Sequence, residues 1–286
     1  MVAIGTLHYE VVEGWEQIPT GRTHLDVPGV GVDSRDRVFL FTRRQPGVMI
    51  YEADGTFVRS WGEALFKNCH GITIGPDDSV YLVDSAGHSV QKFTRDGKLL
   101  LTIGPAGVAS DTGYDSKAPD HAARVASIKR GGGPYYLPTN LAVAPNGDLY
   151  VTDGYDNARV HQFTATGEYV RSWGEPGTGP GEFNLPHGIA VDAQGQVLVA
   201  DRENERIQFF SPDGAYLTEW RDVQRPTQVR VGPDGLIYVS ELWWRPGWHS
   251  FINGTLADER PGRVSVFAPD GTVMDRWGGR EITAAG

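Results

Sequence analysis

Two histidines, His70 and His187, each open a short apolar stretch, "CHGITI" and "PHGIAV". Neutral imidazole is a standard zinc ligand at about 2.0–2.1 Å, and a catalytic zinc takes three protein ligands plus one open position. Two histidines are one short of that set. A histidine before a glycine also serves simply to cap a turn, so both readings stand. Arg43 and Arg202 recur at a shared position in the same pattern, after the next apolar stretch. Two guanidinium groups at a rim hold a carboxylate through paired hydrogen bonds; the plainer use is a solvated rim, or a partner for Asp201 or Glu203. Tyr155 lies in "DGYDNARV", one residue beyond the equivalent position. A phenol beside a metal and arginines serves as a base, with packing as the alternative. Trp243, Trp244 and Trp248 crowd with His249 into "LWWRPGWHSFINGTLADERPG". They form either a lid over a substrate or a patch that packs on itself or on a partner.

The elements that must position these residues are repeats. "PGVGVDSRDRVFLFTR", "CHGITIGPDDSVYLVDS", "PTNLAVAPNGDLYVTDG", "PHGIAVDAQGQVLVADR" and "PTQVRVGPDGLIYVSEL" align as strand, tight polar turn, strand. A third strand follows each, ending in a turn whose last residue is glycine, as in "VQKFTRDG" and "IQFFSPDG". A fourth follows that, as in "FVRSWG" and "YVRSWG". Asp-Gly and Asn-Gly between alternating apolar runs are hairpin signals. No helical period is visible. Four strands per unit at this spacing predict an all-β fold, a single β-propeller domain over residues 1–286. The blades are expected at about 28–62, 70–104, 138–174, 186–221 and 226–278, with 6–15 as an orphan outer strand carrying Trp15. Five complete blades plus an orphan strand point to a six-bladed architecture whose sixth blade is missing or partial, the alternative being that "HYEVVEGW" attaches to the edge of blade five. Open blade edges then invite self-association. The turns on one face are uniformly short, whereas residues 105–136 and 242–262 insert into the other. Long loops in a compact domain are usually functional, which places the site on that face.

Composition narrows the partners. Formal charge is -10 over 286 residues, which argues against nucleic acid, whose phosphates need a basic face. No apolar run reaches the roughly 18 residues of a membrane span. The start, "MVAIGTLHYEVVEGWEQ", lacks the basic-then-apolar pattern of a signal peptide. Cys69 is the single cysteine, so no internal disulfide is expected, and the cytoplasm is the expected compartment. Cys69 is expected to be buried. His8, His24, His88, His121 and His161 receive no role, and Asp111, Asp115 and Asp120 read as a solvated loop.

The units resemble NHL repeats. The order of "CHGIT", "TDGYDNAR", "LPHGIAVD" and "VADRENERIQ" resembles that of the peptidyl-α-hydroxyglycine α-amidating lyases, six-bladed NHL propellers, across essentially the whole chain. The resemblance implies a zinc ion held by three histidines on alternate blades, with His70 and His187 matching two of them. It implies cleavage of a carbinolamide into an amide and glyoxylate or a similar small acid. Tyr155 matches the catalytic tyrosine, and Arg43 and Arg202 match the arginines that hold the substrate. The family's third histidine lies in the sixth blade, beside an acid that helps bind a structural calcium, and this chain shows no such blade. The substrate expected is a small molecule or a peptide terminus. Two other functions remain open: a non-catalytic NHL propeller serving as a protein-interaction scaffold, and a lactone hydrolase, which would need a carboxylate-rich calcium site of which only Glu241 and Asp201 are candidates.

Overall fold

Each repeat folds as the alternation requires. The computed structural model of the protein describes residues 9–43 and 47–278. Five four-stranded antiparallel sheets follow one another, each with its strands in chain order. The first holds Gly29–Val32, Val38–Phe41, Val48–Tyr51 and Phe57–Trp61. The fourth, which carries much of the site, holds Pro186–Val191, Val197–Asp201, Arg206–Phe210 and Tyr216–Trp220. The first strands of successive sheets pack side by side around the axis of a β-propeller. Among the described residues no helix is long and apolar enough to cross a membrane.

Period-two patterning buries one face of each blade against the next. Phe39, Phe41, Val48 and Ile50 of blade one meet Ile72, Val80, Leu82 and Phe93 of blade two. Equivalent apolar clusters join blades two and three, three and four, and four and five. The tryptophans that end the fourth strands lock these interfaces. Trp61 donates to the Arg95 carbonyl (3.1 Å) in the turn of the next blade, and Trp173 and Trp220 lie over the turn glycines Gly214 and Gly271.

The seam between blades five and one is different. Val30 is 51% exposed, whereas its equivalents Ile72, Leu141, Ile189 and Val229 are between 1% and 4% exposed. Among the described residues no apolar cluster joins these two blades. Leu40, Met49 and Tyr51 of blade one pack instead on Trp15 and Val27. The expected orphan strand at 6–15 falls partly outside the described residues, and residues 9–15 form a turn rather than a strand. Its tryptophan nevertheless takes the repeat position: Trp15 donates to the Ala53 carbonyl (2.9 Å) in the blade-one turn. Tyr9, at the other end, stacks on Trp277 of blade five at 4.2 Å. This segment strings across the seam without a ladder of its own.

Two inserted segments have more order than the sequence suggests. Residues 105–136 contain a helix, His121–Ala126, capped by the Asp120 carboxylate, which accepts from the Ala123 amide. Six residues are too few to show a 3.6 period, and Asp120 is a cap rather than a solvated loop acid. Residues 242–262 form a small hairpin, with His249–Ser250 paired to Gly254–Thr255 and Trp244 bridged to Arg260.

Candidate active site

The histidines stand in β-bulges. In blade four Pro186 pairs with Asp201 and Gly188 with Ala200, leaving His187 as the extra residue; blade two breaks register over the same positions. A bulge re-aims the side chain it carries, here towards the axis. The glycine after each histidine permits close approach. A Cβ on Gly188 would lie 2.7 Å from the Thr227 carbonyl oxygen, and one on Gly71 would lie 2.7 Å from that of Thr139. Those same carbonyls accept from the imidazoles: His70 Nδ1 to Thr139 at 2.6 Å, His187 Nδ1 to Thr227 at 2.7 Å.

A carbonyl only accepts, so Nδ1 carries the proton on both rings and both Nε2 atoms present lone pairs. The rings are 4.8 Å apart. Both Nε2 atoms reach the Tyr155 hydroxyl, at 2.9 Å from His70 and 3.1 Å from His187. One phenolic proton satisfies one of them and leaves the other lone pair facing oxygen. Two convergent imidazole lone pairs with their far nitrogens anchored fit two positions of a divalent-metal site. No group of three or more His, Cys, Asp or Glu side chains among the described residues completes such a site. Burial comes first in pulling His70 down to about 4, with the Arg43 and Arg202 charges adding to it. Burial, His70 and Arg202 likewise hold His187 well below the usual imidazole range. Both rings are neutral at pH 7, the state a metal needs.

Tyr155 separates the histidines from a cavity of about 1010 Å³ that opens on the elaborated face. Its lining includes Tyr155, Arg202, Glu203 and Arg225, together with residues of the inserted helix and Trp244, Trp248, His249 and Phe251. Arg202 donates from Nε to Glu203 (2.8 Å), and its guanidinium lies 5.6 Å from the Tyr155 ring centre. Arg225 donates to the same Glu203 oxygen at 2.8 Å. Burial pushes the Glu203 carboxyl up, but Arg202, His121 and Arg225 outweigh it and hold it well below the usual carboxylate range.

The candidates divide accordingly. Tyr155, His70 and His187 converge, and Arg202 and Trp244 line the cavity above them. Arg43 lies outside that lining, exposed and paired with Asp26 at 3.0 Å, although its Nε reaches the Cys69 carbonyl beside His70. Trp243 packs on Arg245 at 4.8 Å, away from the lining. Glu203 and His121 had no sequence signal strong enough to single them out as site residues. For Arg225 a signal existed: Leu137 and Leu185 hold the equivalent position before the strand-opening prolines Pro138 and Pro186. Asp201 and Glu241, the acids a lactonase-type calcium site would need, are latches. Each accepts from the backbone amide two residues before its own inner strand, Asn184 at 2.8 Å for Asp201 and Gln224 at 2.5 Å for Glu241.

A neighbouring acid gives the protein a pH signature. Burial, with Asp153 adding, pushes Asp156 up to about 7, and a Tyr114 hydrogen bond opposes the rise. The folded chain then keeps this proton until about pH 7, whereas the unfolded chain releases it near 3.8. The folded state therefore loses stability as pH climbs between those values. Asp156→Asn removes that loss. Thermal denaturation is expected to show a higher Tm for the variant at pH 8 and no gain below pH 4; a gain independent of pH contradicts this account.

Comparison with known proteins places the chain. A family model described as NHL repeat matches residues 66–93, 135–163 and 183–210. NHL repeat-containing protein 3 of Homo sapiens is 30% identical over 254 residues, covering 82% of this chain and 67% of that protein. A Drosophila melanogaster protein named peptidyl-alpha-hydroxyglycine alpha-amidating lyase 1 is 33% identical over 184 residues, 59% of this chain and 30% of its own length. A solved streptogramin B lyase aligns with a TM-score of 0.56 at 12% identity, over 89% of this chain and 70% of that one, a likeness of fold alone.

Proposed function

The chain belongs to the family of NHL repeat-containing proteins, and on that premise we propose that its cavity is a lyase site for a carbinolamide of the α-hydroxyglycine type. The carrying observation is the Tyr155 hydroxyl held between two neutral, anchored imidazoles at the floor of the cavity. The relative named as a peptidyl-α-hydroxyglycine lyase supports the choice of substrate class. His70 and His187 would hold a zinc ion through Nε2, which would supply Lewis-acid activation of the substrate hydroxyl. His249 is a further imidazole on the same lining.

The chain's own residues do the rest. Arg202 holds the substrate carboxylate. Tyr155 accepts the proton of the carbinol hydroxyl on its hydroxyl oxygen as it gives its own proton to the departing amide nitrogen, and the carbonyl of glyoxylate forms as the C–N bond breaks.

Incubation of the zinc-treated protein with an N-acyl-α-hydroxyglycine, followed by chromatography of amide and glyoxylate, tests this reading. Tyr155→Phe is expected to lower kcat by about 10²-fold or more with KM little changed. Equal turnover by that variant would remove tyrosine from the chemistry. A scaffold without catalysis is the second reading. A relative matching 82% of the chain is named for its repeats alone, and no group of three metal-ligating side chains lies among the described residues. It predicts no turnover with or without zinc, and a protein partner that is lost when residues 242–262 are deleted.

A further inference from the structure

We propose that Arg225, rather than Arg43, is the second guanidinium of a carboxylate subsite, and that the cavity takes a 2-hydroxy acid derivative bearing an apolar group. The inference rests on the lyase reading for its substrate class, but the subsite itself stands on geometry. Arg225 is 6% exposed, and its Nε is buried with no hydrogen-bond partner. A buried donor left unsatisfied costs free energy that a bound acceptor returns. The guanidinium lies 4.6 Å from the Trp244 ring centre and 5.4 Å from that of Trp248, so its plane is set before any ligand arrives. Its backbone is fixed as well, with the Arg225 carbonyl accepting from the Leu242 amide at 3.2 Å.

Charge favours an anion at this spot. Arg202 and Arg225 share the single carboxylate of Glu203. The other acid on the lining, Asp120, is engaged as the helix cap. One positive charge at the cavity floor is left without a carboxylate of its own. Two guanidiniums held in place by a common acid suit a monoanionic carboxylate. Arg43 cannot supply the second arm as it stands, being paired with Asp26 outside the cavity. Beyond the charges the lining is apolar, with Trp244, Trp248 and Phe251 from the 242–262 segment and Ala122, Ala123 and Ala126 from the short helix. That surface suits an aromatic or large aliphatic group attached near the acid.

Titration calorimetry with phenyllactate and with its neutral amide tests the assignment without turnover or metal. The wild-type protein is expected to bind the acid more tightly than the amide. Arg225→Gln is expected to weaken the acid about tenfold or more, the scale of losing a hydrogen bond to a charged group, and to leave the amide unchanged. Arg225→Lys keeps the charge and is expected to restore part of the loss. Arg43→Gln is expected to bind both like the wild type. Equal weakening of acid and amide would mark Arg225 as merely structural, and loss in the Arg43 variant would move the subsite there. A wild-type crystal soaked with phenyllactate gives the same answer should the Arg225 variants fail to fold. A carboxylate within about 3.2 Å of Arg225 supports the assignment, and one on Arg43 overturns it. Preference for the acid without any lyase turnover would refute the reaction and keep the subsite. Turnover with no preference for the acid would do the reverse.

Discussion

His187→Ala is expected to abolish stoichiometric zinc binding and to lower carbinolamide turnover by more than about 10²-fold, since losing even outer support for a metal ligand costs about 10- to 100-fold. The reason is geometric. His187 is one of two imidazoles whose Nε2 lone pairs meet at Tyr155, so removing it leaves one nitrogen where two converge. The fold should survive, because the bulge that carries residue 187 is set by the pairing of Pro186 and Gly188 with the next strand. Two side-chain hydrogen bonds are lost, at 2.7 Å to the Thr227 carbonyl and at 3.1 Å to the Tyr155 hydroxyl. Elemental analysis after zinc loading, beside an unchanged Tm, separates a lost ligand from a lost structure. A variant that still binds one zinc per chain would take His187 out of the metal site.

The largest stability effect is expected at Arg206, which is fully buried. Its guanidinium places all five donors: Nε on Asp201, NH1 on Glu219 and the Thr178 carbonyl, NH2 on the Gly179 and Glu182 carbonyls, all between 2.8 and 3.0 Å. Asp201 is fully buried too, and burial pushes it up to about 6 even though Arg206 and Asn204 pull it down. Arg206→Ala strands that carboxyl. Breaking a buried pair on one side costs about 3–5 kcal/mol, a fall in Tm on the order of 10 °C for a domain of this size. Combining Arg206→Met with Asp201→Asn should recover part of the loss, because the uncompensated acid is then gone. Calorimetry of the single and double variants decides the matter: a single variant that melts like the wild type contradicts the account. The site would feel the loss, since Asp201 holds the Asn184 amide three residues before His187.

The blades were legible because a half-buried strand writes its period directly into the sequence, and five copies reinforce one another. His70, His187 and Tyr155 were legible as departures from the repeat, with Pro28, Thr139 and Thr227 standing where the two histidines stand. Arg43 and Trp243 share that property yet lie outside the cavity, because repeat position sets the height along a blade and not which way a flexible end turns. Arg225, Glu203 and His121 come from a strand-opening loop, a 3-10 turn and an inserted helix. Their meeting depends on how blades four and five pack and on where the 105–136 insertion folds back. No spacing along the chain encodes that. The N-terminal tryptophan illustrates the reverse case: Trp15 keeps its repeat contact although its segment forms no strand.

The exposed Val30 carries a consequence for how the molecule comes apart. Among the described residues four apolar interfaces join the five blades, so the propeller behaves less like a hoop than like a short linear array of nearest-neighbour contacts, its ends linked by the Trp15 and Tyr9 contacts of the N-terminal segment. Blade three, which holds Tyr155, is the middle unit and has an apolar partner on each flank; blades one and five have one each among the described residues. Fraying then starts at the ends, so opening motions reach Arg225 in blade five before they reach the tyrosine, and the paired guanidiniums loosen while the two imidazoles are still assembled.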